Sequence, residues 1–186
     1  MNAGAPTDQQ LLRPLRDPYG DAHRALPELE TMSGDSLPEP YRSLLVHNRD
    51  MTRTLEAYHH GRIHLRVLSR RESEGLHLRT VVLELDGSNL PVEFGATRAY
   101  LDRFAEPWRG QILAGERPLG GILNASGMPY VSRPSAFFRT RADDFIRSAL
   151  GVPNGLTLYG RRNTISNQQG EPLAEIIEIL PPLAGG

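Results

Sequence analysis

The sequence predicts one α+β domain built on a mainly antiparallel sheet. Three observations lead there. Residues 62–100 read as three alternating strands joined by short turns. Residues 107–150 carry helix signals, and residues 156–182 return to strand. Strands, then helices, then strands is the order of an α+β fold, because alternating βα units would be needed for a parallel sheet. At 186 residues, one domain has enough chain to enclose a core.

Residues 1–36 are rich in Gly, Pro, Ala, Asp and Gln and show little periodicity. They are expected to be a flexible arm before a domain over 37–183. Pro40 suits the start of a short helix through Tyr41, Leu44, Leu45 and Val46. Asp50 is an N-cap for a helix from Met51 to about Tyr58, with Met51, Leu55 and Tyr58 on one face. Gly61 ends it. Ile63, Leu65 and Val67 alternate with His64 and Arg66, the period of a half-buried strand.

After the polar turn Arg71–Gly75 comes the longest strand candidate, Leu76–Leu85. His77, Arg79, Val81, Leu83 and Leu85 share one face of it. Asp86 and Gly87 begin a turn that extends to Asn89. Val92, Phe94 and Ala96 mark a third strand to about Tyr100. Pro107 starts a helix over Trp108–Leu113, and Pro118–Leu123 is a second, glycine-softened piece. Residues 124–134 are expected to be loop. Ala142–Leu150 has an acidic first turn, an apolar stripe of Phe145, Ile146, Ala149 and Leu150, and Gly151 at its end. Leu156–Pro182 forms two strands around an Asn167–Pro172 turn, with Gly170 free to take positive φ.

The formal net charge of −1 and the scattered arginines give no support for nucleic acid or an anionic membrane as the main partner. There is no cysteine, which excludes a disulfide framework, a thiolate nucleophile and an iron–sulfur cluster. No apolar run nears the roughly 20 residues of a spanning helix. The first residues lack the basic-then-apolar order of a signal peptide, so a cytoplasmic protein is expected. His59, His60 and His64 have no acidic or cysteine partner at ligand spacing, and no metal is expected. No G-x-S-x-G, Walker or G-x-G-x-x-G motif is present. Six tyrosines and one tryptophan, all scattered, make no base-stacking platform.

Arg79 is the foremost candidate for chemistry. A guanidinium on an apolar strand face needs a carboxylate, and its planar fork accepts one bidentately. Two readings stand: an internal ion pair with Glu93, Glu175 or Glu178, or a ligand's acid group. Glu178 lies among Ala174, Ile176 and Leu180. It reads as a buried acid of raised pKa or a ligand's hydrogen-bond acceptor, or else as a partner of Arg161 or Arg162. Glu175 is on the opposite face, so at most one of the two acids meets an enclosed site. Pro118–Gly121 offers free N–H groups at a helix start, or is simply a turn.

Taken together, Asp50-Met51-Thr52, Leu78-Arg79 with its aliphatic run, Pro118-Leu119-Gly120, Tyr159-Gly160-Arg161-Arg162 and Gly170-x-Pro172-Leu173 with Glu178-x-x-x-Pro182 resemble, in this order, the chorismate lyase family. The likeness covers roughly residues 37–182. Val92-Glu-Phe-Gly-Ala96 and Leu158-Tyr-Gly-Arg161 are similar to its actinobacterial and cyanobacterial branch.

The resemblance implies a six-stranded antiparallel sheet with helices as flaps over an internal site. It implies a cofactor-independent carbon–oxygen lyase that splits chorismate into 4-hydroxybenzoate and pyruvate. Arg79 then holds the ring carboxylate, assisted by the backbone N–H groups of Met51 and Leu119, and Glu178 meets the ring hydroxyl. Arg161 and Arg162 are candidates for the pyruvyl carboxylate. The implied partner is a small carboxylated molecule, with no nucleic acid or membrane. Two alternatives keep the fold. One is a lyase, dehydratase or cyclase acting on another substrate. The other is a non-catalytic module that binds an aromatic acid, since effector-binding domains of transcription regulators use the same general fold.

Overall fold

The computed structural model describes residues 8–21 and 23–183. Its centre is one seven-stranded sheet in the order β1-β5-β6-β7-β4-β3-β2, with every neighbouring pair antiparallel. The strands are β1 (Leu29–Met32), β2 (Ile63–Ser73), β3 (Leu76–Leu85), β4 (Pro91–Tyr100), β5 (Val131–Arg141), β6 (Thr157–Ser166) and β7 (Pro172–Leu180). The expected meander is β2–β3–β4, and the expected closing hairpin is β6–β7. The resemblance implied six strands; the described residues contain seven, and β1 supplies one sheet edge.

Local signals explain most helices. Asp50 caps α4 (Met51–His59) by accepting the Arg53 N–H. Asp143 caps α7 (Asp144–Leu150) through the N–H groups of Phe145 and Ile146. Pro40 precedes α3 (Tyr41–Leu45), Pro107 precedes α5 (Trp108–Ala114), and Pro118 precedes α6 (Leu119–Ser126). Between β6 and β7, Gly170 has φ +83°, which a Cβ-bearing residue adopts only with strain. α4 ends one residue before Gly61, on His60 in the left-handed region.

Two expectations are corrected. Residues 8–36, where described, are not a flexible arm. α1 (Asp8–Leu11) and α2 (Arg13–Asp21) lie on the sheet, and Leu11, Leu15 and Tyr19 are at most 1% exposed. Three anchors in a polar segment suffice because the sheet offers an open apolar face. The part of the expected arm over 1–7 lies outside the described residues. Within 124–134, α6 continues to Ser126 and β5 begins at Val131. β5 was hidden by Pro134 and by its many polar residues. Pro134 sits next to a register irregularity at 134/136 that accommodates it.

The sheet is covered on both faces. Val82, Phe94, Ala96, Phe138, Leu158, Ile177 and Ile179 meet α1, α2 and α7 on one face. On the other face, two separate apolar clusters form. α3 and α4 cover Leu83, Val92 and Leu180. α5 and α6 cover Ala99, Ile165, Leu173 and Ile176. The cavity lies between these two helical caps.

Candidate functional site

The floor of the cavity comes from alternate residues of neighbouring strands. It comprises Arg79, Val81 and Leu83 on β3, Glu93, Gly95 and Thr97 on β4, Ile176 and Glu178 on β7, and Asn163 and Ile165 on β6. The roof is the start of α4 (Asp50, Met51, Thr52) and the start of α6 (Pro118, Leu119, Gly120). The enclosed volume of the cavity is about 60 Å³. Arg49, Asp50, Tyr130 and Ser132 border both this cavity and a wider outer cleft.

One end of the cavity is cationic. Arg79 is 6% exposed. Its Nη1 donates to the Arg117 carbonyl at 3.2 Å, and its Nε has no partner. No ion pair forms between Arg79 and any described carboxylate, so the expected internal pairing with Glu93, Glu175 or Glu178 is absent. Burial lowers its pKa to about 10. A guanidinium held this way, dry and unmatched, favours any ligand that brings a negative charge.

The other end is acidic. Glu178 is matched: it pairs with Arg161 through Oε2 and Nε. Arg161 is fully buried and its Nη1 donates to the carbonyls of Leu45 and His47, both at 3.0 Å. Glu93 is 4% exposed, and its Oε2 has no partner. Gly95 is the register partner of Glu178. A Cβ there would stand 3.2 Å from Glu93 Oε1, so glycine leaves room for the Glu93 head beside Glu178. Burial first, and then the neighbouring Glu178 charge, push the Glu93 carboxyl well above the usual carboxylate range. His47, beside Arg161, is pulled down to about 4 by burial and then by that guanidinium.

The roof brings two helix starts together. The first N–H groups of a helix lack partners within it, and those of α4 and α6 border the cavity. The helices are in close contact there: a Cβ on Gly120 would fall 1.6 Å from Asp50 Oδ2. Only glycine lets α6 approach the capping carboxylate.

Of the residues singled out in the sequence, Arg79, Glu178, Met51 and Leu119 all line the cavity. Arg161 lies on the same sheet face but beneath the lining, committed to Glu178. Arg162 does not reach the site, which corrects its candidacy. One residue further along β6, it points to the other sheet face. There it pairs with Glu175 and donates to Gln10 O, Ser135 Oγ and Thr164 Oγ1. Glu175 also accepts from Tyr100 and faces Arg13. The sequence reading named Glu93 only as a counter-ion for Arg79. The signal it missed is alternation: Glu93, Gly95 and Thr97 share the face opposite Val92, Phe94 and Ala96. Among the described residues, no group of three or more His, Cys, Asp or Glu side chains is placed to hold a metal ion. None of their helices is long and apolar enough to cross a membrane.

No protein-family model matches this chain and no curated protein is similar to it. Solved structures do share its fold. The effector domain of PhnF from Mycobacterium smegmatis superposes with a TM-score of 0.56 at 12% identity, over 73% of this chain and 90% of that one. The chain spans 65% of the longer PhnF structure. The possible transcriptional regulator YydK from Bacillus subtilis gives a TM-score of 0.51 at 9% identity, covering 64% of this chain and 58% of that one. A GntR-family transcriptional regulator from Bacillus cereus gives 0.48 at 10% identity, covering 67% and 94%.

These findings bear out the α+β fold with an antiparallel sheet and covering helices. They correct the assignment to the chorismate lyase family. No family model or relative supports it, and the structures from M. smegmatis and B. subtilis are described as an effector domain and a possible transcriptional regulator. The expected carbon–oxygen lyase, with its chorismate, 4-hydroxybenzoate and pyruvate chemistry, is corrected with it. The expectation that nucleic acid is not a partner finds no support in these comparisons.

Proposed function

We propose that this chain is a non-catalytic effector-binding module whose ligand is a small organic acid. The observation that carries the reading is Arg79: a buried guanidinium inside a cavity, with an unsatisfied Nε and no carboxylate partner. Natural proteins pair buried charges internally, as Arg161 and Arg162 are paired here. The one left open at a cavity wall is the one a ligand completes. The helix starts at Met51 and Leu119 add N–H groups and positive dipole ends on the same cavity. The neighbours' descriptions as an effector domain and as regulators agree with this use of the fold.

The test compares carboxylates with a neutral analogue. Benzoate, 4-hydroxybenzoate and succinate are titrated calorimetrically, with benzamide as control, into the protein and into Arg79→Met. The expected result is binding of at least one acid, none of benzamide, and loss of the acid in the variant. Proton NMR over hours should show every acid unchanged. Equal binding of benzoate and benzamide would refute the anion site. Conversion of a bound acid would refute the non-catalytic role.

A further inference from the structure

The acidic end of the cavity specifies a second property of the ligand. Glu93 is a carboxyl group that the chain itself does not complete. Its titratable neighbours can be named element by element. Glu178 stands beside it on β7, Arg161 below it on β6, and Asp50 above it at the cap of α4. Arg161 is matched to Glu178 and holds two backbone carbonyls. Its Nη2 is also without a partner, yet no ion pair joins it to Glu93. Arg49 and Arg79 line the same cavity, and neither forms an ion pair with Glu93. Glu93 therefore meets two other carboxyl groups, Glu178 and Asp50, and one guanidinium already committed to Glu178, and its unsatisfied oxygen is buried at the cavity.

The two open groups rise from rows of the sheet four residues apart. Leu83 is the register partner of Glu93, and Arg79 lies four residues along the same strand. At strand rise, that separates the two rows by about 13 Å.

The geometry points to a bipolar ligand: an acid group on Arg79 and, beyond a ring or a chain of several bonds, a cationic amine on Glu93. This rests on the reading of Arg79 as the anion site. Without a ligand, burial and then the Glu178 charge push the Glu93 carboxyl well above the usual carboxylate range, which favours its protonated form. An arriving ammonium group retains its own protons and donates to the Glu93 carboxylate, and the Glu93 proton passes to solvent. Binding of the amine is therefore coupled to proton release.

The experiment compares 4-(aminomethyl)benzoate with 4-methylbenzoate, which differ only in the amine. Both are titrated calorimetrically at pH 7 in phosphate and in Tris, whose ionisation enthalpies differ. The expected result is a preference of about tenfold or more for the amine. Its apparent heat should differ between buffers in the sense of proton release, while 4-methylbenzoate gives the same heat in both. Glu93→Gln, checked by circular dichroism for native folding, should abolish the preference and the buffer effect and still bind 4-methylbenzoate. The buffer comparison on the unmodified protein stands even where the variant does not fold. Equal affinity for both compounds, with no buffer effect, would overturn the inference and leave the anion site intact. Failure of both compounds to bind would overturn the anion site and the inference together. A preference retained in Glu93→Gln would show that the amine does not meet Glu93, and would overturn the inference as well.

Discussion

Replacing Arg79 by methionine should make the empty protein more stable while destroying its anion site. Burial alone lowers the Arg79 pKa from the ordinary guanidinium value to about 10. At ~1.4 kcal/mol per unit, holding the charge costs about 3 kcal/mol in the folded state. The single bond from Nη1 to the Arg117 carbonyl returns about 1 kcal/mol of that when present. Methionine fills similar volume with no charge to desolvate. The net expectation is a gain of about 2 kcal/mol, or a rise in Tm of about 4–8 °C for a chain of this size. Benzoate affinity should fall by about a hundredfold, the worth of a bidentate charge-assisted contact. Urea unfolding and thermal melts, each with and without benzoate, read both effects. A variant destabilised by more than about 1 kcal/mol would refute the claim that the charge is uncompensated. A variant that bound benzoate normally would refute the site.

Three further outcomes are expected. Glu175→Ala strands Arg162 in a buried position and should cost about 3–5 kcal/mol, measured by urea unfolding, with benzoate affinity unchanged in whatever fraction remains folded. The pair is on the sheet face away from the cavity. Leu15→Ala should cost about 2–5 kcal/mol, because Leu15 is completely buried against the sheet; a cost near zero would restore the flexible-arm reading. His47→Asn should flatten the acid limb of the stability profile. The folded pKa of His47 is lowered to about 4 from an ordinary 6.5, so between these values only the unfolded chain binds the proton, and stability falls as pH drops from 6.5 to 4. Partial exposure of the ring screens the effect to about 1 kcal/mol. Urea unfolding at pH 4.5, 5.5 and 7 for both proteins isolates the His47 share from the opposing share of Glu93. No difference between their slopes would count against it.

How much was legible follows the range of each interaction. The Asp50 and Asp143 caps, the Gly170 turn and the β2–β3–β4 meander are written in residues a few positions apart, and the sequence reading found them. α1 and α2 escaped because their anchors, Leu11, Leu15 and Tyr19, are sparse among polar residues and two prolines. Only the neighbouring sheet makes them apolar contacts. β5 escaped for a related reason. Its strand character comes from pairing with β1 and β6, and its own alternation is weak.

The sequence by itself determined the faces. Period-two alternation places Arg79 with Val81 and Leu83, separates Glu175 from Glu178, and separates Arg161 from Arg162. That follows from the pleat and needs no partner. Tertiary structure alone decided the pairing. Strand order brings Arg161 beside Glu178 and Arg162 beside Glu175, and it takes Arg79 two strands from Glu178. Of three buried arginines that look alike in the sequence, two are neutralised and one is left open. An ion pair is decided by a few ångströms between residues distant in the chain, and only the folded sheet sets that distance.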